Sequence, residues 1–190
     1  MLVLASTSPY RRELLARLGL PFTVCSPGVD EAPWPGETPA DTAVRLAQAK
    51  ARAGAALYPQ AVVIGSDQVA ELAGVRLDKP GGHDRAAQQL AMLSGRSAAF
   101  HTAVAVFNPA SARMQVQLVP TQVQFRGLTR KQIDAYLRRE QPFDCAGSAK
   151  SEGLGIVLLE RIEATDPTAL VGLPLIALTG MLQAEGVELL

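Results

Sequence analysis

The chain has 190 residues, enough for one domain with a substantial buried interior, and its 18 lysines and arginines balance 18 aspartates and glutamates. A formal net charge of +0 argues against a protein that coats nucleic acid or an acidic membrane by bulk electrostatics; one concentrated pocket for a small anion remains compatible with it. Cys25 and Cys145 are the only cysteines and stand in no metal or redox spacing, so two reduced thiols in a cytoplasmic protein are expected.

In chain order, Leu2 to Ala5 reads as a short buried strand. Its four apolar residues follow no basic region, so they are not a signal peptide. Ser8 suits an N-cap and Pro9 the first position of a helix running through Leu18. That helix carries Arg11 and Arg12 in its first turn, where carboxylates are favoured and each misplaced cation costs about 0.3–1 kcal/mol. Backbone N–H groups flanked by Ser6, Thr7, Ser8 and two guanidiniums make an anion site; arginines turned to solvent or paired with distant carboxylates are the competing reading on position alone.

"FTVC" reads as a strand and "SPGVDEAPWPGETP" as a loop that carries Asp30 and Glu31. Thr38 caps a long helix in which Lys50 shares its face with Ala43, Leu46, Ala47 and Gly54, and therefore points inward, while Arg45 and Arg52 occupy solvated faces. "AVVIGSDQVAEL" is a strand with Asp67 inside an apolar run, where a carboxylate needs a partner. A two-residue turn at Ala73-Gly74 pairs Leu72 with Val75, Glu71 with Arg76 as an ion pair, and Gln68 with Lys79, which sets Lys79 one residue along from Asp67.

A helix from about Asp84 to Leu93 follows. Then come two alternating strands joined by "PASA", a helix capped by Thr129, a strand-like "GIVLLERI" and the apolar helix "LPLIALTGMLQAE". Helices and strands alternate around central hairpins, so the class is α/β with a mixed sheet. "CAGSAKSEGLG" is a loop of small residues that lets backbone approach a ligand. His83 and His101 are too isolated for an imidazole metal centre, so any metal is a hard cation, magnesium or manganese, held by carboxylates and phosphates.

Taken jointly, "LASTSPYRRELL", "VDE" at 29–31, "RLAQAKA", "VIGSDQV", "KP" at 79–80, "LSG" with "HTAVAV", "CAGSAKSEGLGI" and "LVGLPL" resemble the Maf family of nucleoside triphosphate pyrophosphatases, in order and approximate spacing over nearly the whole chain. The resemblance implies a single domain over 1–190, with an elongated mixed sheet flanked by helices and two lobes around a central cleft. It also implies a homodimer and a divalent-metal-dependent hydrolysis between the α and β phosphates. Ser6, Ser8, Arg11 and Arg12 match the family's phosphate-binding opening, with Lys50 as a further phosphate ligand. Glu31, Asp67 and Lys79 match its catalytic residues, Asp67 as proton acceptor, and Glu31 with Asp67 are the metal-ligand candidates.

Tyr10, Gln68 and Glu152 match the positions that separate a dTTP/UTP branch from a 7-methyl-GTP branch, and this chain resembles the latter. An aromatic in place of arginine, and glutamate in place of glutamine, favour a purine made cationic by N7 methylation. Tyr10 stands where that branch is expected to have tryptophan, and Ala149 where a bulkier aromatic is expected, so looser base discrimination is implied. The family's association with septum formation supplies an alternative, a binding regulator of cell division; a broader nucleotide preference is another. No nucleic-acid or membrane partner is expected.

Overall fold

The computed structural model describes residues 1–190. Its elements are β1 (Leu2–Ala5), α1 (Pro9–Ala16), β2 (Phe22–Cys25), α2 (Pro39–Leu57), β3 (Val62–Leu72), β4 (Val75–Leu77), α3 (His83–Leu93), β5 (Ser97–Asn108), β6 (Arg113–Phe125), α4 (Arg130–Glu140), β7 (Leu159–Ala164) and α5 (Leu175–Ala184). The seven strands form one mixed sheet in the order β2-β1-β3-β5-β6-β7, with β4 paired to β3. β1 lies parallel to both β2 and β3, and the β3–β4 and β6–β7 pairs are antiparallel. The expected α/β class with a mixed sheet is what forms. No helix is long and apolar enough to cross a membrane.

Two compact units share the chain. The first comprises Met1–Gln68, Thr102–Val119 and Asp166–Leu190, and the second Val69–His101 and Pro120–Thr165. In the first, β1 is buried on both faces. Leu2 and Leu4 join Leu14 and Leu15 of α1, Ile64 of β3 and Leu178 and Leu182 of α5, while Val3 and Ala5 join Cys25, Ala55 and Val63. A strand covered on both sides reads as a continuous apolar run, which is why "LVLA" shows no alternation. In the second unit α3 and α4 pack together, with Leu90, Leu93, Ile133 and Leu137 buried.

Local signals hold at most boundaries. Ser8 and Thr38 cap α1 and α2, and Thr129 and Gln132 form a reciprocal capping box on α4. Helix α1 stops at Ala16, short of Leu18, and the chain turns at Gly19 with φ +69°. Ala73 and Gly74, both at positive φ, make the tight turn that fixes the Leu72–Val75 and Glu71–Arg76 register.

Three expectations are corrected. β4 ends at Leu77, so the Gln68–Lys79 pairing extrapolated along the hairpin is not part of the ladder. Arg76 turns to Asp78 at 2.5 Å, and Glu71 approaches His101 at 3.4 Å, so the two residues are register partners without an ion pair between them. "GIVLLERI" is strand only from Leu159; Leu154–Leu158 curls as a 3-10 turn. Gly155, inside that turn, is packed so tightly on Lys150 that an added Cβ would lie 2.4 Å from the Lys150 carbonyl oxygen.

Candidate functional site

The contact between α2 and β3 is set by two glycines. A Cβ on Gly65 would fall 2.2 Å from the Ala47 carbonyl oxygen, and one on Gly54 would fall 2.8 Å from Val63 Cγ1. Helix backbone therefore lies directly on the strand. Lys50 stands between Ala47 and Ala51 on the inward face of α2, and Asp67 lies two residues beyond Gly65 on the same face of β3. The consequence is a buried ion pair: Lys50 Nζ reaches Asp67 Oδ1 at 2.6 Å, with Lys50 only 5% and Asp67 only 7% exposed.

The same ammonium reaches Glu31 Oε1 at 2.6 Å. Lys50 thus joins two carboxylates, one fixed in the sheet and one brought by the 26–38 loop. The lysine that answers the Asp67 charge is Lys50, on the helix.

That loop is held by a clamp missed in the sequence. Arg45 grips Glu37 through Nε at 2.5 Å and Nη2 at 2.8 Å, donates from Nη2 to the Ala32 carbonyl at 3.0 Å, and lies 4.3 Å over the Trp34 ring. Glu37 also accepts from the Trp34 N–H and the Thr42 hydroxyl. Arg45 is therefore engaged and not solvated. Thr42 and Arg45, three residues apart on one helical face, share Glu37 as their partner.

These hydrogen bonds, those from Arg45 first, pull the Glu37 carboxyl down to about 2 against the opposing effect of desolvation. A carboxyl whose folded value is depressed contributes stability above its unfolded value, and that contribution is lost as pH falls toward the folded value. The melting temperature of Glu37→Gln is therefore expected to lie below wild type at pH 6–7, with the gap closing as pH falls from about 4.5 toward 2. A gap independent of pH would assign the clamp no charge contribution.

The two first-turn arginines take different positions. Arg11 turns inward: its Nε donates to the Gly172 carbonyl at 2.8 Å and its Nη1 contacts Ser6 Oγ at 3.5 Å. Burial lowers the Arg11 pKa, and the carboxylates of Asp67 and Glu31 oppose that shift. Ser6 is buried, and its Oγ also accepts from the Ser8 N–H; Ser8 Oγ accepts from the Arg11 N–H. Arg12 is exposed and Tyr10 half-buried on the same turn.

Gly172 was not singled out by sequence. Its φ of +119° suits glycine, and its carbonyl accepts from both Arg11 and the Ser66 hydroxyl. The turn bearing it is anchored by buried Asp166, which accepts from Thr168 N–H and hydroxyl and from the Ile176 N–H at 2.7 Å, capping α5 from a distance. Asp-Pro-Thr at 166–168 was the available signal, an Asx-type turn.

Gln68 donates from Nε2 to Thr102 Oγ1 and to the carbonyls of Ala169 and Leu170, at 2.9–3.0 Å. Two backbone carbonyls can only accept, so this orientation of the amide is fixed by chemistry. Oε1 makes none of these bonds.

The structure therefore brings Ser6, Ser8, Arg11, Glu31, Lys50, Asp67 and Gln68 into the first unit with defined contacts. Lys79 and Glu152 are exposed residues of the second unit. No three His, Cys, Asp or Glu side chains form a metal cage. A magnesium-type ion needs none, since it is commonly held by one or two carboxylates with substrate phosphates and water, and the Glu31–Asp67 pair fits that requirement.

The family described as Maf-like protein matches residues 1–185. The chain is 56% identical over 189 residues to the 7-methyl-GTP pyrophosphatase of Methylobacillus flagellatus, covering 100% of this chain and 98% of that one. It is 59% identical over 189 residues to the protein so named from Thiobacillus denitrificans, covering 100% and 94%. For the Polaromonas sp. protein of the same name the figure is 62% over 188 residues, covering 99% and 86%.

Proposed function

Because the chain belongs to the Maf-like protein family, we propose that it hydrolyses 7-methyl-GTP between the α and β phosphates, giving 7-methyl-GMP and pyrophosphate. The observation that carries this reading is the buried Lys50 ammonium, 2.6 Å from both Asp67 and Glu31, on a chain whose full-length relatives bear that name. We read residues 1–190 as one catalytic domain acting in a cytoplasmic homodimer.

In this mechanism Asp67 Oδ1 is held by Lys50, and Oδ2 takes the proton of the attacking water. A P–O bond forms to that water oxygen, the bridging α–β P–O bond breaks, and pyrophosphate leaves with its electron pair. Arg11, with Ser6 and Ser8 beside it, binds phosphate oxygens; Arg12 and Lys50 add positive charge, and Lys79 stabilises the leaving group. Glu31 and Asp67 would hold a magnesium or manganese ion, which would supply charge neutralisation to the phosphates.

Tyr10 stacks on the cationic base, Gln68 offers Oε1 to it as an acceptor, and Glu152 adds a charged acceptor for the purine N–H edge. Pyrophosphate release from 7-methyl-GTP, GTP, UTP, dTTP and CTP with magnesium or manganese, and with EDTA, tests the whole reading. The highest kcat/KM is expected for 7-methyl-GTP, with loss of turnover in EDTA. Equal efficiency on 7-methyl-GTP, GTP and UTP would remove the base assignment, and no pyrophosphate from any would remove the reaction. A charged acceptor makes a hydrogen bond roughly twice as strong as a neutral one, so Glu152→Gln is expected to reduce the 7-methyl-GTP to GTP preference about tenfold.

A further inference from the structure

Two segments of the second unit carry residues to which the proposed function gives work. One is Asp78-Lys79-Pro80, just past the end of β4; the other runs from the 3-10 turn Ala146–Ser148 to Glu152. Neither segment is held by a regular helix or strand of its own.

One side chain on α3 spans them. Gln89 Nε2 donates to the Asp78 carbonyl at 2.7 Å, and Gln89 Oε1 accepts from Ser148 Oγ at 2.5 Å. Both ends of a single amide are thus committed, the donor end to the lysine segment and the acceptor end to the loop. Orientation follows from the partners, since the Asp78 carbonyl can only accept.

The loop end of this bridge lies at a demanding point. Ser148 is fully buried and has φ +57°, a left-handed conformation unusual for a residue with a Cβ. Such a conformation persists only where its surroundings hold it. Gly147, at φ +70°, lets the chain pass the Phe100 ring, where a Cβ would lie 3.2 Å from Cζ. A second tie runs in parallel, from the Gly81 N–H to the Phe143 carbonyl at 2.9 Å. The far end of the loop is fixed separately from α4, where Tyr136 Oη accepts from the Lys150 N–H and Glu140 accepts from the Leu154 N–H.

We propose that Gln89 is a positioning residue for specificity: by tying the Asp78 carbonyl to buried Ser148, it sets the Lys79 segment and the Ser148–Glu152 loop at a fixed separation, so that recognition of the base is registered with the grip on the leaving phosphates. This rests on the reading of Lys79 and of the loop as substrate-contacting. Gln89 itself touches no reacting atom. It differs from a stability element in what it controls, which is the ratio between substrates.

The test uses the full-length protein and three variants. Gln89→Met keeps length and helix propensity while removing both hydrogen bonds, Ser148→Ala removes only the loop arm, and Glu152→Gln alters the assigned base contact. For each, kcat and KM are measured on 7-methyl-GTP and on GTP, with thermal unfolding alongside. Gln89→Met is expected to cut kcat/KM for 7-methyl-GTP at least tenfold and to shrink its preference over GTP at least fivefold, with Ser148→Ala shifting the preference the same way. The Gln89→Met and Glu152→Gln effects on preference are expected to be non-additive, as for residues acting through one loop.

Equal losses on both substrates that track the fall in melting temperature would overturn the proposal and leave Gln89 a packing residue. A preference changed by Glu152→Gln but untouched by Gln89→Met would also overturn it while the base reading stands. A preference changed by Gln89→Met but not by Glu152→Gln would uphold the bridge and move the base contact elsewhere in the loop.

Discussion

Lys50→Met is expected to lower kcat/KM by about three orders of magnitude and to destabilise the fold at the same time. Methionine matches the length and apolar stem of lysine, so packing against Ala47, Ala51 and the sheet changes little. What disappears is the ammonium 2.6 Å from Asp67 Oδ1 and from Glu31 Oε1. Asp67 is 7% exposed, and removing one partner of a buried pair typically costs about 3–5 kcal/mol because the other charge stays behind.

The double variant Lys50→Met, Asp67→Asn separates the two effects. Removing both charges is expected to restore most of the stability, read from urea unfolding, and none of the turnover, read from pyrophosphate release. Lys50→Met retaining more than a tenth of wild-type kcat/KM would dismiss the shared ammonium as the centre of the site. Asp67→Asn alone is expected to lose about 10²–10⁴-fold in kcat, the range for a positioned base.

Gly65→Ala carries the second large effect. The new Cβ would sit 2.2 Å from the Ala47 carbonyl oxygen and 2.6 Å from the Ala51 nitrogen. Both are helix backbone atoms, which cannot swing aside as a side chain can. The whole of α2 must shift, and Lys50, lying between those two residues, shifts with it. We expect a loss at the upper end of overpacking costs, about 3 kcal/mol or more, and a fall in Tm of roughly 6–12 °C, together with a drop in kcat. Gly180→Ala is the contrasting control. Nothing lies within 4 Å of the added methyl in α5, so helix propensity alone acts, and stabilisation of up to about 1 kcal/mol is expected. Unfolding midpoints that rank the two variants the other way would refute this account of the α2–β3 contact.

Much of this arrangement was legible in the chain. Three-four spacing turned Lys50 inward, Ala73-Gly74 set the hairpin register, and Ser8, Thr38 and Thr129 marked helix starts, because each depends on neighbours within a few residues. The partner of Asp67 was not legible in the same way. Lys79 was reached by extending a ladder that stops at Leu77, whereas Lys50 meets Asp67 because glycine at 65 admits a helix from earlier in the chain. Periodicity reports which face a residue takes and is silent on which element will cover that face. The same holds for Arg45, which local pattern left on an outer face and which Glu37 and Trp34 claim, and for Gly172, whose contribution is a carbonyl and so has no side-chain signature.

The burial of β1 beneath α5 bears on how the molecule is made. Leu2 and Leu4 share their cluster with Leu178 and Leu182, so a strand early in this sequence is covered by a helix far along it. That side of β1 stays apolar and uncovered until α5 has docked, a long-range closure that slows folding. A truncated product lacking α5 is expected to aggregate rather than persist as a smaller folded protein.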